Sequence, residues 1–173
     1  LLKVKKVDTD CRINYFSSDP LWYDILSCPH CNYANYHVDF FKVNSGDVEK
    51  IRKIVKTEQE PILQRGKDKF SAFDKLVLKY LQAIHLNEHI DGENNALIGS
   101  LWLKLYWLAK DSGDGKFVKY CSAHAIEKLQ AAIDNEEIKS MATSPGQREK
   151  VANSLMMSTI EKISLSVSLS KEE

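Results

Sequence analysis

The chain has 173 residues, 43% of them hydrophobic and 28% charged, and its 24 basic side chains balance 24 acidic ones. That length suits one domain or two small ones with a real core, and the composition is ordinary for a globular protein. Zero net charge argues against a global field that would draw in a nucleic-acid backbone, and no apolar run reaches the roughly eighteen residues of a membrane span.

The opening "LLKVKKV" starts on Leu and reads as the middle of a strand, so the chain is expected to be a fragment whose natural start lies upstream. It groups Lys3, Lys5 and Lys6, for which a solvated strand edge is the simpler reading than a basic binding patch. "CRINYF", "LWYDILSC" and "YHVDFFKV" follow as short runs rich in Val, Ile, Tyr and Phe, split by turns such as "SSDP" at residues 17–20. A small β module over residues 1–44 is expected, too small to bury much alone and in need of a metal staple or a larger body to dock on.

From residue 45 the period becomes helical, and residues 45–173 are expected to form an array of antiparallel helical hairpins. "GDVEKIRKIVK" places Val48, Ile51, Ile54 and Val55 on one stripe, with Ser45 or Asp47 as N-cap. After Pro61, the next helix carries Phe70, Phe73, Val77, Tyr80, Leu81 and Ile84 at helical spacing. "NNALIGSLWLKLYWLAKD" carries Leu97, Ile98, Leu101, Trp102, Leu105, Leu108 and Ala109. "SGDG" at residues 112–115 is a helix stop and turn, and another helix runs through Phe117, Cys121, Ala125, Leu129 and Ala132. Ser144, Pro145 and Gln147 make a capping box for a last helix through Val151, Leu155, Ile160 and Ile163. The fold class is therefore α+β, mainly α.

Four cysteines, Cys11, Cys28, Cys31 and Cys121, are too few for a secreted disulfide framework. With no leader pattern in the opening residues, the expected compartment is the reducing cytoplasm. "CPHC" at residues 28–31 has the shape of a zinc knuckle: two thiolates two residues apart can face one metal while backbone N–H groups stabilise the sulfur charge. The residue after the second Cys usually needs positive φ, and Asn32 is among the best non-glycine residues for it. One pair cannot fill a tetrahedral site. Cys11 with His37 or His30 could complete it, a second pair upstream could do so, or the cysteines could be a redox or an inert pair. The redox reading needs a following helix to lower the thiolate pKa, and "NYANYHVDFF" reads as turn and strand.

The string "DTDCRINYFSSDPLWYDILSCPHCNYA", residues 8–34, resembles the bacterial DUF2225 family, a domain of unknown function. That family carries an Asp-x-Asp element, here Asp8 and Asp10, a Pro-Leu-x-Tyr-Asp element, here residues 20–24, and a Cys-Pro-x-Cys-Gly-Tyr-Ala knuckle, here Cys28 to Ala34 with Asn32 in place of Gly. "ALIGSLWLKLYWLAKDSGD" resembles its helical part. The resemblance implies a zinc-ribbon-like module joined to tetratricopeptide-like helices. It also implies a first Cys-x-x-Cys ahead of the Asp-x-Asp element, a pair that this chain has no residues to hold.

Other groups have plainer readings. Asp8, Asp10, Asp19 and Asp24 could form an acid pair or a hard-metal site, but turn-forming aspartates explain them as well. His85 and His89 lie on one helix face, yet "HLNEH" puts Glu in the wrong slot for a zincin, and two helix-end histidines are the simpler account. Trp102, Tyr106 and Trp107, with Trp22 and Tyr23, could floor a peptide groove or pack a core. The expected function is a non-enzymatic protein-interaction module with a structural zinc held by Cys28 and Cys31, with Cys11 and His37 as candidate further ligands and a protein or peptide partner on Trp102, Tyr106 and Trp107. The alternatives are a nucleic-acid-binding zinc ribbon and, behind it, a metal-dependent enzyme using Asp8, Asp10 and Asp24. No Ser-His-Asp arrangement can be argued.

Overall fold

The computed structural model describes residues 2–59, 70–90 and 94–135. They are mainly helical, with two small antiparallel two-stranded sheets, and they belong to two compact units. One unit draws on residues 1–18 and on the chain from Asn94; the other is Asp19–Glu93. The capping box at Ser144 and the apolar stripe beyond it lie outside the described residues.

In the first unit, β1 (Val4–Val7) pairs with β2 (Ile13–Tyr15), matching Val4 with Tyr15, Lys6 with Asn14 and Val7 with Ile13. The turn between them is closed by backbone bonds from Asp8 N to Arg12 O (2.8 Å) and from Cys11 N to Asp8 O (3.0 Å), with Cys11 at φ +66. The hairpin buries little of itself, as expected of so small a β module. Val4, Val7 and Ile13 are exposed, and between residues 2 and 18 the buried side chains are Asp10 and Arg12.

Two helices complete the described part of this unit, α3 (Asn95–Ser112) and α4 (Gly115–Asp134), named in chain order after the two helices of the other unit. Asn94 caps α3 by accepting from Leu97 N at 3.1 Å, and Asp114 caps α4 by accepting from Lys116 and Phe117 N. Between them Gly113 takes the left-handed conformation at φ +72 that ends a helix without a Cβ clash. The "SGDG" turn thus stops one helix and starts the next, as its composition indicated. The helices run antiparallel, since Gly99 near the start of α3 meets Leu129 near the end of α4. The two helices pack on each other, and Ile98, Leu101, Leu105, Leu108 and Ala109 of α3 and Cys121, Ala125, Leu129 and Ala132 of α4 are all buried, which makes the seam.

Burial pushes the Cys121 thiol in that seam up to about 12, against an ordinary value of 9.0. The sign of the pH effect follows. A thiol whose pKa is raised on folding contributes stability that is intact below pH 9 and is lost as pH rises toward 12. Thermal melts between pH 8 and 11 are expected to show a falling Tm, with a shallower fall in Cys121→Ala; equal slopes would exclude this thiol as the cause.

The second unit starts with a one-turn 3₁₀ helix, Pro20–Trp22, capped by Asp19, whose carboxylate accepts from Leu21 N at 3.0 Å. β3 (Ile25–Ser27) pairs with β4 (Ala34–Tyr36), and α1 (Val48–Ile54) runs on into a π-helical turn, Val55–Gln59. α2 (Ala72–Ile90) packs on both strands. Its start is a reciprocal capping box: Ser71 Oγ accepts from Asp74 N at 3.1 Å, and Asp74 accepts from Ser71 N at 2.8 Å. The buried face of α2 is Leu76, Tyr80, Ala83, Ile84 and Leu86, so of the expected stripe only Tyr80 and Ile84 reach the core, while Phe73, Val77 and Leu81 are half-buried. Tyr80 is fully buried and donates its hydroxyl to Leu21 O at 2.9 Å, and burial holds its phenol well above the usual range. The strand expected over "YHVDFFKV" ends at Tyr36, and the chain then turns, leaving Val38 and Phe41 exposed. Among the described residues no helix is long and apolar enough to cross a membrane.

Candidate metal centre

The turn joining β3 to β4 holds Cys28 and Cys31. Its frame is two backbone bonds, Asn32 N to Cys28 O at 2.9 Å and Cys28 N to Tyr33 O at 2.8 Å. Asn32 sits at φ +58, the left-handed conformation its position demands and one an Asn tolerates well. That fold of the chain turns the backbone N–H groups of Cys31 and His30 onto the Cys28 sulfur, and they hold its pKa below the ordinary thiol value. Burial raises the Cys31 thiol, and the charge and hydrogen bond of Cys28 add to the rise, while the Tyr33 N–H donates to the Cys31 sulfur and opposes it. Both sulfurs are thus approached by backbone donors, within one turn.

Among the described residues no three His, Cys, Asp or Glu side chains come together to hold a metal. Cys11 lies in the β1–β2 turn of the other unit. His37 follows β4 and hangs on the Asp24 carbonyl, which accepts from its backbone N at 2.8 Å and lies 3.3 Å from its Nδ1. His30 is within the turn itself. Within its unit the structure brings Cys28 and Cys31 together in one turn, with His37 after the second strand.

Beside the turn lies a cavity of about 460 Å³ with an apolar lining that includes Tyr33, Phe40, Val48, Ile51 and Val55, with Cys28 and Cys31 in its wall. Arg52 and Lys56 are its cationic lining residues. Tyr33, Ile54 and Leu86 form the small core beneath, against which Cys28 and Phe40 pack.

The aspartates have partners of their own. Asp10, 1% exposed, accepts from Lys110 Nζ at 2.7 Å and, at a long 3.4 Å, from Arg12 N. Arg12 in turn makes a two-pronged pair with Asp111, both bonds 2.7 Å, and donates to Trp107 O at 3.1 Å. Asp8 accepts from Lys6 and Asn14, and the Lys6 bond first, with the Asn14 bond, lowers its carboxyl pKa. Asp8 and Asp10 thus tie the hairpin together and clamp it onto α3, while Asp24 belongs to the other unit. Arg12, Lys110 and Asp111 were not singled out from sequence, because the two ion pairs join residues 99 and 100 positions apart and no local pattern announces them. Of the expected groove, Trp102 is 5% exposed and Tyr106 1%, so these two rings pack the interior of their unit.

A family model described as "Uncharacterized protein conserved in bacteria (DUF2225)" matches residues 1–162, nearly the whole chain. The chain belongs to the DUF2225 family. No curated protein and no solved structure matches it. In this DUF2225 chain the three N-terminal motif elements are now structural objects. The Asp-x-Asp element is the hairpin clamp, the Pro-Leu-x-Tyr-Asp element is the capped 3₁₀ turn whose Leu21 carbonyl receives Tyr80, and the Cys-Pro-x-Cys element is the sulfur-bearing turn.

Proposed function

We propose that this DUF2225 chain is a non-enzymatic protein-interaction module stapled by a structural zinc, with Cys28 and Cys31 as two of its four ligands. The observation that carries the reading is the set of backbone N–H groups from His30, Cys31 and Tyr33 directed at the two sulfurs, an arrangement that lowers the cost of holding two thiolates on one ion. In this reading the two further ligands are a Cys-x-x-Cys ahead of the Asp-x-Asp element, the pair that the family resemblance implies. The ion would tie this turn to a second segment, and no step of chemistry is asked of it. None of the four cysteines is joined in a disulfide, which suits the reducing cytoplasm.

Support for a tetratricopeptide-like helical part comes from the tight α3–α4 hairpin, in which Gly99, Ala125 and Ala132 supply small positions at the seam. The partner surface fits the cavity beside the knuckle better than the buried Trp102 and Tyr106. Its apolar lining with Arg52 and Lys56 suits a peptide that brings an apolar side chain flanked by acidic groups.

Elemental analysis of the full-length protein and its Cys28→Ser variant tests the zinc. Near-stoichiometric zinc in the parent and its loss in the variant is the expected result. Zinc absent from the parent, or retained by the variant, would overturn the reading.

A further inference from the structure

We propose that His85 and His89, at the C-terminal end of α2, form a second, solvent-facing site that takes a borderline divalent transition metal of the zinc and nickel class through two imidazole nitrogens. The residues are four apart, so the helix stacks them on one face, and their rings lie with centroids 4.3 Å apart at an angle of 59°. His89 is exposed and His85 half-buried, so an ion can reach the pair from solvent.

The orientation of His89 supplies the chemistry. Its Nδ1 lies 2.8 Å from the His85 carbonyl oxygen. A carbonyl oxygen only accepts, so Nδ1 carries the proton, and Nε2 of the neutral ring keeps its lone pair for a metal. Metal-bound histidines characteristically donate their other ring nitrogen to a backbone carbonyl in this way. The end of α2 adds to this, because the carbonyl dipoles of a helix C-terminus favour a cation there. Imidazole nitrogen is a preferred donor for zinc and nickel, and nickel binds such sites at least as readily as the earlier metals of its row.

Among the described residues no third metal-binding side chain joins the pair. The site therefore holds its ion by two protein ligands and leaves the remaining positions to water. It is exchangeable, unlike the four-ligand staple proposed for Cys28 and Cys31. The sequence alone gave only two helix-end histidines; the ring contact and the bond to the carbonyl set them up as ligands.

The test is a Ni²⁺ titration of the full chain followed by amide NMR, which separates the two sites because a paramagnetic ion broadens the signals around it. Broadening centred on the last turn of α2 is expected. His89→Ala, at an exposed position, and His85→Ala, at a half-buried one, are each expected to weaken it by about tenfold or more, since the second imidazole binds at high effective concentration once the first has engaged. His37→Ala serves as the control, with affinity unchanged. Broadening confined to Cys28–Cys31, or a smaller loss in either α2 variant, would overturn the proposal.

Discussion

Lys110→Met is expected to cost about 3–5 kcal/mol, the range for leaving a buried charge without its partner. The cost arises on the other side of the pair. Lys110 is 39% exposed and would be well solvated without Asp10, but the Asp10 carboxylate is 1% exposed and would retain only the long bond from Arg12 N. Burial pulls the Lys110 ammonium pKa down, and the hydrogen bond and charge of Asp10, with Tyr106 and Asp8, more than offset this, so that it ends above the ordinary lysine value. Asp10→Asn should be milder, about 1–2 kcal/mol, because the single amide oxygen can still accept from Lys110 Nζ, only the long bond from Arg12 N is given up, and no buried charge is stranded. Combining it with Lys110→Met should therefore recover part of the loss. Hydrogen exchange localises the effect: β1 and β2 amides are expected to lose protection before those of α3 and α4. The hairpin's buried residues are both charged, and little apolar area holds it in place once the clamp opens. Denaturant melts in which Lys110→Met matches the parent to within about 1 kcal/mol would refute the clamp.

Gly99→Val is the second large effect, expected at roughly 3 kcal/mol or more. A Cβ at residue 99 would sit 2.9 Å from Leu129 Cγ and Cδ2 and 3.0 Å from Leu129 N. The side-chain atoms can swing away, but the backbone nitrogen moves only if α4 moves, and α4 is held along its length by the seam with α3. Gly99→Ala sets two terms against each other. The helix gains about 1 kcal/mol from better propensity, and overpacking costs about 1–3 kcal/mol, so a net loss of about 1 kcal/mol is expected. Adding Leu129→Ala separates the sources of strain. It removes the side-chain clash and leaves the backbone one, so Gly99→Ala should remain destabilising in that background. A full rescue would show that the Leu129 side chain alone sets the limit.

The sequence by itself determined what depends on neighbours along the chain. Asn32 at positive φ, the "SGDG" stop and start, and the stripe of Ile98, Leu101, Leu105, Ala125 and Leu129 follow from local sterics and from period 3.6, and each is found where its pattern placed it. The family motifs were equally legible, since a motif is a string. The strand after Tyr36 failed because an apolar run gives only a local preference, which the turn over residues 37–41 overrides. The rotation of α2 toward Leu76 and Ala83 was hidden for a related reason: apolar residues lie on several sides of that helix, and the β3–β4 sheet decides which are covered. Only the tertiary structure could decide what Asp10 and Arg12 do, why residue 99 has no side chain, and which nitrogen of His89 meets the His85 carbonyl. The first two depend on partners tens of residues away, chosen by packing, and the third on the direction of one ring against a carbonyl, which no spacing in the sequence records.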